Sequence, residues 1–285
     1  MVAGYCVTSK NILSRVSESD KIIIWLFYIV GGELMGNVES TEEVIIKSKK
    51  RVQNHGEVFT PKWIIEQMLN TAGVKEACEN IESTFLEPSA GEGAFLVAIL
   101  SRKLEMVTDC YNESLKQYEH YSLFALTTLY GVELLQDNAK ICAMNLFETY
   151  LGYYNRACEK HKIKQRKSAV LNSAKNIISA NIQQGNFLTR LTAEGEPLIF
   201  SEWKALSKLG TNKSIKVIRT EYTLDEIQHQ MTKPFGETVK KMKIANPMQL
   251  DLFDILQQEA MVEEEEILKY SPCLITDVYK KIMET

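Results

Sequence analysis

A doubly wound, mostly parallel α/β sheet with helical segments at both ends is the fold class this sequence predicts, and three observations carry it. Phe85-Leu86-Glu87-Pro88-Ser89-Ala90-Gly91-Glu92-Gly93-Ala94-Phe95-Leu96 runs from an apolar strand ending in an acid, through a Gly-x-Gly turn, into an apolar helix. Glycines let such a turn approach a ligand closely, and the first helical amides point into the same space. Leu129-Tyr130-Gly131-Val132-Glu133 repeats the strand-then-acid pattern roughly forty residues later. From there to Trp203, short apolar runs alternate with helical periodicity, the pattern of parallel strands joined by crossover helices.

The elements follow in order. Thr60 is suited to cap a helix that Pro61 opens and that Ile64, Ile65, Met68 and Leu69 make amphipathic, predicted over 61–79. A strand (84–87), a helix (94–107) and a helical excursion (113–127) come next. They are followed by a strand (129–133), a helix (137–150), a basic connector, a helix (168–179) and short strands at 181–183 and 198–200. Beyond Trp203 the pattern weakens: 215–219 reads as a late strand and 271–285 as a terminal helix.

In such a sheet the ligand lies at the carboxyl ends of the strands, near the point where the winding reverses. Glu87, Ser89, Gly91 and Gly93 meet there, and Glu133 is placed to accept both hydroxyls of a ribose. Asn186 and Phe187 follow the third strand, where an amide can meet an adenine edge.

Taken together, His55-Gly56-Glu57-Val58-Phe59-Thr60-Pro61, the Glu87–Gly93 corner, Glu133 and Asn186 resemble the S-adenosylmethionine-dependent DNA methyltransferases that modify the exocyclic amine of adenine, particularly modification subunits of restriction systems. The resemblance runs from about Gly56 to Trp203. It implies a Rossmann-like methyltransferase fold with S-adenosylmethionine as cofactor and DNA as substrate. It also implies that Phe59, Thr60 and Pro61 contact the methionine part, that Glu87 lies near its amino group and that Glu133 holds the ribose. Asn186 stands where that family usually has Asp, keeping hydrogen bonding but not charge.

The largest departure is the Asn/Asp-Pro-Pro-Tyr/Phe tetrapeptide, which in that family clamps the flipped adenine. No Pro-Pro occurs in this chain. At the expected place stand Pro197-Leu198-Ile199-Phe200-Ser201-Glu202-Trp203, so Ser201, Glu202 and Trp203 are the candidate catalytic group: two acceptors and a stacking ring. A strand end anchored by an amphipathic tryptophan is the alternative.

Gln249-Leu250-Asp251-Leu252-Phe253 looks like the pentapeptide by which bacterial polymerases and repair proteins dock on the replication sliding clamp, with Gln249 at a pocket rim and Leu250, Leu252 and Phe253 filling the pocket. The first turn of an amphipathic helix over 250–256 would read the same way.

At 285 residues and 45% hydrophobic, the chain can bury one sizeable core plus a small appendage. A net charge of -4 argues against a surface that grips nucleic acid everywhere. Two local basic runs, Arg156 to Lys167 and Lys204 to Arg219, suit either phosphate contacts or solvated faces. Six cysteines without a Cys-x-x-Cys pair or companion histidines indicate neither a zinc site nor a disulfide framework, so no metal is expected and a reducing cytoplasm is. The apolar run 22–30 is too short to span a bilayer. Gly31-Gly32-Glu33-Leu34-Met35 can be encoded by a ribosome-binding site placed before a start codon, so translation is expected to begin at Met35; if translated, the preceding run is expected to be a partner-binding or membrane-surface helix. The expected organisation is an extension (1–34), a helical segment (35–79), a cofactor domain (80–220) and a carboxyl-terminal extension (221–285).

Three functions fit this reading. One is an adenine-specific DNA methyltransferase of a restriction-modification or mobile-element system, with recognition supplied by the carboxyl-terminal segment or by a partner such as a specificity or restriction subunit. Another is a non-catalytic cofactor-binding module tethered to the sliding clamp. The last is a methyltransferase acting on a substrate other than DNA.

Overall fold

A computed structural model of the chain describes residues 60–210, 212–239 and 269–284, together with the backbone of 22–24. Phe59, the pentapeptide 249–253, His55 and most of 1–34 lie outside the described residues.

The α/β class is borne out. Strands β1 (Ile22–Ile24), β2 (Thr84–Glu87), β3 (Leu129–Glu133) and β4 (Ile182–Gln184) form one parallel sheet in that order. The apolar run 22–30, expected as a helix, thus contributes a three-residue edge strand in register with β2, Ile22 opposite Thr84. Helices α1 (Lys62–Leu69) and α2 (Val74–Cys78) precede β2. Between β2 and β3 come α3 (Ala94–Cys110) and α4 (Leu115–Thr127); between β3 and β4 come α5 (Gln136–Lys160) and α6 (Ser168–Asn181). Thr60 does not cap α1: Pro61 occupies the cap position, and its carbonyl accepts from Ile64 and Ile65. The helix expected over 61–79 breaks at Gly73, whose φ of 85° is left-handed.

Alternating side chains divide the core. Phe85 and Leu129 join the large cluster with Leu96, Ile99, Leu100 and Leu104 of α3. Each fully buried leucine or isoleucine there contributes about 1.5–3 kcal/mol. Gly131 lets α3 close on the sheet, since a Cβ there would lie 2.9 Å from Leu96 Cδ1. Leu86 and Val132 face the other way, onto Leu198, Phe200 and Leu224.

Here the structure departs from a fully doubly wound sheet. The apolar run at 198–200 does not become a further parallel strand. It opens β5 (Ile199–Ala205), which pairs antiparallel with β6 (Lys216–Thr223) in a separate sheet. Helix α7 (Leu224–Gln228) follows, capped by Thr223 with Glu226 reaching back to its amide. The terminal helix expected over 271–285 is instead β7 (Lys269–Tyr270), β8 (Cys273–Leu274), a 3₁₀ turn (Ile275–Lys280) and β9 (Met283–Glu284), with β8 extending the β5–β6 sheet. Ser271-Pro272 and the left-handed Lys281 interrupt any helical run.

Half of the expected basic connector is helical. Arg156 and Lys160 lie within α5, with Arg156 over the Tyr153 ring at 4.0 Å, and Lys167 pairs with buried Glu119 at 2.6 Å.

Candidate cofactor site

The site is built where β2 and β3 end. Glu87 closes β2 and is buried, with Oε1 accepting the Ser89 amide at 3.1 Å. Its Oε2 is buried without a hydrogen-bond partner. Burial first, with a smaller push from the nearby Glu133 carboxylate, raises the Glu87 carboxyl to about 7 against the opposing effect of the Ser89 amide. In its ionised form this carboxyl is therefore short of one donor or one positive charge.

The turn after it is tied down at several points. Ala90 donates its amide to the Val132 carbonyl at 2.9 Å, Gly91 to Glu133 Oε2 at 2.7 Å and Gly93 back to Ala90 at 2.8 Å. Gly91 and Gly93 have φ of 55° and 83°, which other residues rarely adopt. A Cβ on Gly91 would meet nothing within 4 Å, so the turn faces open space there; one on Gly93 would lie 2.6 Å from Cys142 Sγ. Cys142 is buried, as its place in the helical pattern predicts, and burial pushes its thiol up to about 12.

Glu133 does more than await a ligand. It is buried, and besides Gly91 it takes the Leu135 amide on Oε1 at 2.9 Å, so one carboxylate joins the end of β3 to the glycine turn and to the start of α5. Two of its roughly four acceptor positions are thereby used and two remain.

Asn186 lies beyond β4, but its Oδ1 turns inward and accepts the amides of Leu188 at 2.8 Å and Thr189 at 3.2 Å. Its amide nitrogen, not its oxygen, is the group left for an adenine edge. Phe187 packs on the Leu86–Val132 cluster. Thr60 and Ser89 are exposed and Pro61 is partly so.

Ser201, Glu202 and Trp203 are not brought to this corner. Leu198 sits under Gly185 at the carboxyl end of β4, where an added Cβ would lie 2.7 Å from Leu198 Cδ2. Three residues on, the Ser201 amide meets Asn181 Oδ1 at 3.2 Å, and Asn181 in turn donates to the Thr127 carbonyl ahead of β3. β5 thus runs back along the sheet, carrying Ser201, Glu202 and Trp203 toward the amino ends of the strands, away from Glu87 and Glu133, before β6 returns in the opposite direction. Alternation then splits the trio: Ser201 and Trp203 are buried, and Glu202 is exposed on the opposite face. The Trp203 ring is occupied by Arg219, whose guanidinium lies 5.2 Å from it and 4.6 Å from Tyr270. Arg219 also donates to Ser201 Oγ and to Glu221, both at 2.9 Å. The expected base clamp is, in this structure, an anchor of the antiparallel unit.

The corner, a β-strand acid, a glycine turn and a second acid, lies within the part of the chain that matches a known family. Residues 41–181 match the N-6 DNA methylase family. The match spans α1 to α6 and both acids of the corner and ends at Asn181, one residue before β4, so the N-6 DNA methylase likeness stops just short of where the chain leaves the parallel sheet. It supports the resemblance to DNA adenine methyltransferases. Comparison with curated proteins and with solved structures gave no match.

Among the described residues, no cluster of three metal-ligating side chains occurs and no helix is long and apolar enough to cross a membrane. Sequence reasoning passed over Asn145, whose Nδ2 donates to the Glu92 carbonyl at 2.9 Å. Its one available signal is its place three residues after Cys142, on the same face of α5.

Proposed function

We propose that this chain is the cofactor-holding component of an adenine-specific DNA methyltransferase of a restriction-modification or mobile-element system, using S-adenosylmethionine in the cytoplasm. The observation that carries this reading is the buried, unpartnered Oε2 of Glu87 beside an open glycine turn. A carboxylate so placed fits a ligand that brings a positive charge, as the ammonium and sulfonium of S-adenosylmethionine do. Glu133 retains acceptor capacity for ribose hydroxyls, and the Asn186 amide nitrogen suits a ring nitrogen of adenine. When bound, the cofactor supplies the methyl group; the chain's own residues orient it.

The residues that hold the target base come, in this reading, from a partner chain. Among the described residues the parallel sheet winds in one direction, from β2 through β3 to β4, with Ile22–Ile24 beyond β2, whereas a doubly wound sheet places ligands at a reversal of the winding. The placement of Ser201 to Trp203 supports the same division of labour.

The test uses the full chain. Calorimetric titration with S-adenosylmethionine should show binding. Labelled methyl transfer to unmethylated DNA, followed by nucleoside analysis, should show none from the chain alone and methyladenine once a specificity or restriction subunit is added. Absence of cofactor binding would overturn the proposal.

The burial of Trp203 also favours a second reading, in which the chain binds cofactor without transferring methyl and is tethered to the sliding clamp through Gln249, Leu250, Leu252 and Phe253. Clamp binding lost on combined Leu252→Ala and Phe253→Ala substitution, with no methyladenine under any condition, would select it.

A further inference from the structure

We propose that Asn145 is a positioning residue for the cofactor turn, fixing the Glu92–Gly93 peptide in its ligand-competent orientation, as Glu133 fixes the Gly91 amide. This inference rests on the cofactor reading above. The glycine turn is the only part of the corner whose backbone is free of Cβ restraint at two positions, and left-handed glycines also permit a peptide to rotate. Three contacts oppose that rotation. The Gly93 amide donates to the Ala90 carbonyl at 2.8 Å, and at the other end of the same peptide the Glu92 carbonyl accepts from Asn145 Nδ2 at 2.9 Å. Cys142, three residues earlier on α5, puts Sγ 2.6 Å from where a Gly93 Cβ would stand, so α5 packs directly against the Gly93 end of that peptide.

The orientation of the Asn145 amide follows from its partner. A carbonyl oxygen has no hydrogen to give, so the NH₂ group must face it. An isosteric aspartate would put a carboxylate oxygen against that carbonyl, replacing attraction by repulsion at nearly unchanged volume. Aspartate therefore separates the donor from the packing, which alanine does not.

Asn145 is partly exposed and is neither of the two acids of the corner, so its loss should leave the fold in place. The turn would then sample rotated states, and only a fraction of molecules would present the bound geometry; apparent affinity falls by that fraction. For Asn145→Asp the expected loss in S-adenosylmethionine affinity is about tenfold, the amount one hydrogen bond of about 1.4 kcal/mol represents.

The experiment measures two quantities on the full chain. Amide hydrogen exchange followed by mass spectrometry reads the peptide spanning 90–95 without ligand, and calorimetry reads cofactor affinity. Faster exchange confined to that peptide in Asn145→Asp, with melting temperature within a few degrees of the parent and affinity down about tenfold, is the expected result. Unchanged exchange in 90–95 overturns the positioning role whether or not the cofactor binds. If the parent itself binds no cofactor, the proposed function fails, and the exchange measurement still decides whether Asn145 holds the turn. Unchanged affinity in Asn145→Asp beside a binding parent overturns the inference and leaves the proposed function standing.

Discussion

Gly91 gives its amide to Glu133 Oε2 at 2.7 Å, a bond across 42 positions of sequence that joins the first loop of the site to the end of the next strand. The same carboxylate takes Leu135 at 2.9 Å. Glutamine at this position keeps the shape but offers only one oxygen, so one of the two amides would face an NH₂ group. Glu133→Gln is expected to lower stability by about 2 kcal/mol, the cost of a broken charged hydrogen bond. It should also weaken S-adenosylmethionine binding more than tenfold, as read by denaturant unfolding and calorimetry.

Glu87 supplies a pH signature. Its carboxyl is pushed up to about 7 in the folded chain by burial, against 4.5 as the ordinary value. Below 4.5 both folded and unfolded chains hold the proton. Between 4.5 and 7 the unfolded chain releases it first, so stability falls as pH rises, by on the order of 3 kcal/mol in total. Glu87→Gln should therefore match the parent at pH 4, exceed it at pH 8, and lose cofactor binding. In the parent, a bound cation would draw the carboxyl back down, so binding near pH 6.5 should release a proton, visible as a calorimetric enthalpy that varies with the buffer's ionisation enthalpy.

The core of the fold was legible because its signals are local. β2 and β3 begin and end where the apolar runs do, and Glu87 and Glu133 fall at their ends because an acid after an apolar strand marks its emergence from the core. The path of β5 was not legible. An apolar segment such as Leu198-Ile199-Phe200 reads alike as a parallel strand, an antiparallel strand or an edge, and what decides here is distant: Asn181 takes the Ser201 amide, and β6 supplies the ladder. The inward turn of Asn186 was likewise hidden, because an Asn after a strand suits a ligand contact and its own Asx turn equally well.

Trp203 tests that correction. Its ring is 5% exposed and joins the core cluster that contains Ile215, Val217, Ile275 and Val278. Removing a buried tryptophan costs about 4 kcal/mol. Trp203→Ala should thus lower the melting temperature sharply. Arg219→Lys, which keeps the charge but not the fork reaching Ser201 and Glu221, should lower it less. Neither should change cofactor affinity in the protein that remains folded. Lost affinity at unchanged stability would return Trp203 to the site.

His120 supplies a second pH signature, opposite in sign. It is buried in α4, and its Nδ1 accepts the Ile215 amide at 3.1 Å, joining the helical layer to the antiparallel unit. Burial first, then the positive charges of Lys116 and Lys167, lower its proton affinity from the ordinary 6.5 to about 4, while Asp277 acts the other way. A folded value below the unfolded one means the stabilisation is complete above 6.5. It is lost as pH falls toward 4, by on the order of 3 kcal/mol. His120→Asn keeps an acceptor near the Nδ1 position and cannot titrate, so its urea midpoint should change less between pH 7 and pH 4.5 than the parent's. Glu87 gains stability over part of that same fall in pH and so masks His120 in the wild-type chain. The comparison is therefore best made between Glu87→Gln and the Glu87→Gln, His120→Asn double variant, where only the histidine slope remains to be removed.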